Sequence, residues 1–108
     1  MQPRTAHLIE MLLPLASNEG EPFGRALYDM VRDELLSRFG GVTMFSRSPA
    51  EGSWAGGAGE GASRDRVISV EVMADDIDPD WWSAYRVGLE RRFGQESIVV
   101  RASEVTLL

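Results

Sequence analysis

The tripeptide Arg-Phe-Gly occurs twice, at Arg38-Phe39-Gly40 and at Arg92-Phe93-Gly94, 54 positions apart in a chain of 108 residues. Each copy closes a stretch with helical spacing of apolar residues and leads into a β-branched stretch, so both halves read as strand, helix, strand. Glycine suits that place because helices often end on a residue with positive φ. Two such halves give the βαββαβ order of an α+β, ferredoxin-like sandwich, a four-stranded antiparallel sheet with two helices on one face. The competing explanation of so short an echo is two similar helix stops and nothing more.

Local spacing fills in this outline. Residues 5–15 form an apolar run fit for a buried strand, ended by a loop at 16–22 with Asn18 and Gly20. A helix is predicted from Phe23, with Phe23, Leu27, Met30, Val31, Leu35 and Phe39 on one stripe and Arg25, Asp29, Arg32, Asp33 and Arg38 on the other faces. Gly40 and Gly41 stop it, and 42–48 alternates as a second strand. The third strand, 66–74, carries Val67, Ile68, Val70 and Val72. The second helix has the best-marked start, with Asp78 as N-cap, Pro79 at the first helical position and Ile77 placed to pack on Trp82. Its stripe is Trp82, Tyr85, Leu89 and Phe93, and 97–107 supplies the last strand. The chain is long enough for a single domain spanning 1–108. Between the second and third strands, 49–63 is so rich in Gly, Ala and Ser that a flexible hairpin loop is expected, with Trp54 either packing that loop down or closing a pocket.

Composition removes whole classes of function. Seventeen acidic against eleven basic residues give a formal charge of -6, which repels a phosphate backbone, so nucleic acid is not an expected partner. Every basic residue is arginine, which excludes a Schiff-base or phosphate-loop lysine, and the absence of cysteine excludes disulfides, thiolate metal sites and thiol nucleophiles. His7 has no second histidine to join it, so a packing or edge role is expected and neither a metal nor a cofactor is implied. The run Asp75, Asp76, Asp78 and Asp80 looks like a calcium loop, yet Trp81 stands where glycine is needed and Val87 where glutamate is needed. Those carboxylates instead suit the first turn of a helix. No run approaches the apolar length of a membrane helix, and Glu10 and Pro14 spoil a signal-peptide reading of the first seventeen residues. A cytoplasmic protein is expected.

If Ile9, Met11 and Leu13 point into the core, alternation turns Leu8, Glu10 and Leu12 to the opposite sheet face, and with them Thr43, Phe45, Arg47, Ser69, Glu71, Met73, Val99, Arg101 and Ser103. In a ferredoxin-like strand order, 4-1-3-2, Glu10 would neighbour Arg101 and Glu71 would neighbour Arg47. The bland outcome is a solvated charge ladder. Leu8, Leu12, Phe45, Met73 and Val99 are many apolar groups to leave wet, however, and an apolar patch crossed by charges points to an interface. The expected protein is therefore a binding or regulatory module, homodimeric through this open face and serving a small molecule or protein partner. The enzyme alternative is a cofactor-independent dimeric α+β barrel, monooxygenase-like or isomerase-like, with Glu10 and Glu71 as an acid/base pair. Glu10, Phe45, Arg47, Trp54, Glu71 and Arg101 are the candidate ligand-binding or interface residues in either case, whereas Tyr28 and Tyr85 fall on helix faces and belong to the core. Base-stacking aromatics, which RNA-binding domains of this shape need on the central strands, are missing there.

Three segments carry a family likeness: Arg38-Phe39-Gly40-Gly41-Val42-Thr43, the Pro49–Trp54 stretch with Gly52-Ser53-Trp54, and Arg92-Phe93-Gly94-Gln95-Glu96-Ser97. Over about residues 25–105 the chain resembles a domain-of-unknown-function family of small bacterial proteins. The resemblance implies a ferredoxin-like fold and a bacterial source, and it brings no catalytic residue.

Overall fold

In the computed structural model, which describes residues 2–47 and 67–108, six elements follow one another. They are β1 (Arg4–Pro14), α1 (Arg25–Phe39), β2 (Thr43–Arg47), β3 (Val67–Ala74), α2 (Pro79–Arg92) and β4 (Val100–Leu107). The protein is α+β, and its strands form one antiparallel sheet in the order β2-β3-β1-β4. The Gly/Ala-rich segment 49–63, with Trp54, lies outside the described residues.

Alternation along β1 builds the core. Ile9, Met11 and Leu13 are at most 1% exposed and sit in register with Val72, Val70 and Ile68 of β3. Onto this face fall Val31 and Leu35 of α1, with Trp82 and Leu89 of α2 and Phe93 just beyond it, all in one buried cluster. Met30, placed on the α1 stripe by its spacing, is instead 47% exposed, because the stripe that meets the sheet is centred on Val31 and Leu35. Tyr85 is only half-buried, and its hydroxyl explains why: it donates to Glu34 Oε1 at 2.8 Å. Arg92 grips both oxygens of the same carboxylate at 2.9 and 3.0 Å, tying α2 to α1. That bidentate grip, with the tyrosine's hydrogen bond, holds the Glu34 carboxyl below its ordinary value.

The helix ends follow their local chemistry. Asp78 Oδ1 accepts the Trp81 N–H at 3.1 Å, and Pro79 opens the helix behind it. Gly40 and Gly94 adopt φ of 82° and 60°, so both copies of the Arg-Phe-Gly echo are left-handed stops. The residues before them have parted company. Arg38 lies 4.3 Å above the Trp81 ring, which itself stacks on Tyr85, while Arg92 serves Glu34. The last strand begins at Val100, three residues after its predicted start; the preceding stretch is held otherwise, with Glu90 accepting the Ile98 N–H.

Candidate functional site

The face of the sheet turned away from the helices can be written as rows, because the register fixes which residues stand side by side. Phe45, Ser69 and Leu12 form one row, which the Leu12 N–H to Val99 C=O bond extends to Val99. The next row is Thr43, Glu71, Glu10 and Arg101, and beyond it come Met73, Leu8 and Ser103. A charged row is thus flanked by apolar rows on both sides. Phe45, Met73 and Val99 are 38%, 43% and 47% exposed, and Leu8 and Leu12 are half-buried. No described helix covers them.

Glu10 and Arg101 meet as the strand order requires: the Arg101 Nε–H donates to Glu10 Oε1 at 3.2 Å. The Glu10 side chain is 19% exposed and that of Arg101 54%, so the pair is shielded on the glutamate side and open to water on the arginine side. The expected partnership of Glu71 with Arg47 is overturned by the β2 register. Arg47 stands opposite Val67, and Glu71 stands opposite Thr43, two rows away. β2 is only five residues long and Arg47 is its last, so its place in the register is two rows from the charged one. Glu71 therefore has Glu10 as its charged neighbour, and one guanidinium serves a row with two carboxylates.

Two positions on this face are closed. Ala6 and Ser69 are both 0% exposed, and the Ser69 hydroxyl finds no hydrogen-bond partner among the described residues. Nothing in the sequence marks Ser69 as different from Ser103, which lies on the same face and is exposed. At the Ser69 end the face runs into a cleft of about 400 Å³, where Leu12, Val67 and Val99 supply the apolar wall. Among the described residues its polar rim is uncharged: Asn18 Nδ2 donates to the Gly94 carbonyl at 3.3 Å and Gln95 Nε2 to the Phe93 carbonyl at 3.1 Å. Sequence reasoning missed these two amides, since only the fold brings the turn after β1 beside the turn after α2.

His7 lies in β1 between Ala74 and Glu104, 27% exposed on its side chain. Its Nδ1 is 3.1 Å from the Asp75 carbonyl and its Nε2 is 4.0 Å from the Glu104 carboxylate. Asp75 in turn pairs with Arg4. Tyr28, whose hydroxyl donates to the Pro14 carbonyl at 2.7 Å, locks α1 to the end of β1; burial raises its pKa. Among the described residues no group of three or more His, Asp or Glu side chains is arranged to hold a metal, and no described helix is long and apolar enough to cross a membrane. Comparison with protein-family models, curated proteins and solved structures gives no match to the chain.

Proposed function

We propose that the protein is a ferredoxin-like bacterial binding or regulatory module, related to the small family its Arg-Phe-Gly segments resemble, that works as a homodimer through the open sheet face. The observation that carries this reading is the sandwich of rows on that face, with Leu8, Leu12, Phe45, Met73 and Val99 bracketing Glu10, Glu71 and Arg101. Covering such a face with a second copy removes apolar area from water at about 25 cal/mol per Å² and retains the charges for register. The cleft beside Leu12, lined by no charged group among the described residues, suits a small neutral molecule held between apolar groups and amides.

The pairing of Glu10 with Arg101 supports a binding role for that carboxylate, and the barrel-enzyme reading then rests on Glu71, which has no cation opposite it among the described residues. Met73 is exposed enough for the fold to accept arginine, so Met73→Arg is the test. Native mass spectrometry is expected to find the unaltered chain assembled and the Met73→Arg assembly halved in mass. A monomeric native chain, or an assembly that Met73→Arg leaves unchanged, overturns the reading.

A further inference from the structure

Among the described residues, the sheet also ends in an unprotected edge. β4 is eight residues long, and its register against β1 is unbroken from Arg4 opposite Leu107 to Met11 opposite Val100. It contains neither proline nor lysine, the residues that commonly blunt an edge. Of its two charges Arg101 pairs with Glu10, and the Glu104 carboxylate lies 4.0 Å from the His7 ring of β1. The four residues Arg101, Ala102, Ser103 and Glu104 are exposed, so neither helix reaches over them.

The Leu12–Val99 bond settles which backbone groups are free. In an antiparallel ladder, hydrogen-bonded and non-hydrogen-bonded pairs alternate, so the odd residues of β4 spend their N–H and C=O groups on β1. Those of Val100, Ala102, Glu104 and Thr106 point off the sheet, and no backbone partner meets them among the described residues.

We propose that this edge pairs with the β4 of a second copy of the chain, antiparallel about a two-fold axis at Ser103, joining two four-stranded sheets into one. The charge pattern and the strand length admit a second copy in one register. A two-fold axis perpendicular to the sheet keeps each face on its own side, so residues that pair must have the same parity. An axis at Arg101 or at Glu104 would set like charges directly opposite each other. An axis at Ala102 would leave Thr106 beyond the end of the partner strand and place Val100 against a glutamate. The axis at Ser103 sets Val100 against the partner's Thr106 and Ala102 against the partner's Glu104, which satisfies all four free residues on both strands. On the open face it sets Val99 against the partner's Leu107. This contact is distinct from the face-to-face dimer proposed above, and its axis is perpendicular to that one.

Ser103 would then meet its own copy as a non-hydrogen-bonded pair, where Cα atoms approach to about 4.5 Å, within disulfide range. The chain has no cysteine, so Ser103→Cys introduces a single thiol. Mild oxidation of Ser103→Cys is expected to give a covalent dimer on a non-reducing gel, whereas Ala102→Cys, equally exposed but opposite a glutamate, should cross-link about tenfold more slowly. Equal rates for the two thiols, or no cross-link, overturn the proposal. The same cross-link should form when Ser103→Cys is combined with Met73→Arg, and its loss there would assign the contact to the open face instead. Ala102→Pro deletes an N–H that the chain's own sheet does not use, so native mass spectrometry should show the assembled mass halved; an unchanged mass overturns the proposal. Should that variant fail to fold, the thiol result still decides.

Discussion

The two faces of β1 are made from neighbouring residues and obey different rules. Ile9, Met11 and Leu13 are sealed under two helices, while Leu8, Glu10 and Leu12 between them are only half-buried. The sealed face excludes charge and fixes the fold; the open face tolerates a Glu-Arg pair in its middle row and displays apolar groups around it. Similar hydrophobicity therefore does different work on each side, and the variants below separate the two uses.

The largest effect is expected where the helix layer closes. Leu35 is 0% exposed in the cluster with Met11 and Val70, and Leu35→Ala should cost about 2–5 kcal/mol by urea unfolding, the range for a buried leucine that leaves a cavity. Leu12→Ala, compared in a Met73→Arg background so that the open-face contact does not contribute, should cost about 1 kcal/mol, since a half-buried side chain loses only part of its transfer energy. Equal losses at the two positions would show that the open face is as sealed as the covered one.

Ser69 offers a change of opposite sign. A buried hydroxyl without a partner carries a desolvation cost, so Ser69→Ala should raise stability by about 1 kcal/mol, measured as a shift of the urea midpoint at constant slope. A loss of that size would mean that the hydroxyl is hydrogen-bonded in solution.

Much of this architecture was legible in the residues, for reasons that differ by element. Asp78 with Pro79 announces α2 because capping and a fixed φ are local chemistry, and the parity of β1 is legible because burial on one face imposes period two. Glu10 beside Arg101 follows from strand order alone. Glu71 beside Arg47 fails because pairing depends on register, and one short strand displaced by two rows moves every partner. The Glu34–Arg92–Tyr85 tie was illegible because it joins two helices whose rotation about their own axes is decided by packing, and the amides of Asn18 and Gln95 because two separate turns must first be brought together.

The tie between the helices predicts an acid-limb effect of intermediate size. The folded chain holds the Glu34 carboxyl below its ordinary value, so the unfolded chain binds that proton more readily. The stabilisation is complete above the unfolded value near 4.5 and is lost as pH falls through the lower folded value. With the Glu34 side chain 39% exposed, solvent screening keeps the contribution below about 1 kcal/mol. Glu34→Gln should flatten the fall in melting temperature between about pH 5 and pH 3 and leave the neutral-pH cleft untouched. A melting curve whose acid limb is identical in Glu34→Gln would assign acid sensitivity to other carboxylates.

The smallest effect tests the open face by its charges. Glu71 stands directly across from Glu10, and like charges in that position repel by roughly 0.2–1 kcal/mol. Glu71→Lys replaces the repulsion with an attraction and should stabilise the Met73→Arg chain, whose open face is uncovered, by a few tenths of a kcal/mol, an increment that fades as salt is raised past about 0.5 M. In the assembled chain the same substitution acts at an apolar contact, where a new cation must be desolvated with only Glu10 beside it, so assembly should weaken although the monomer gains. If Glu71→Lys stabilised monomer and assembly alike, the charged row would be facing water rather than a second copy.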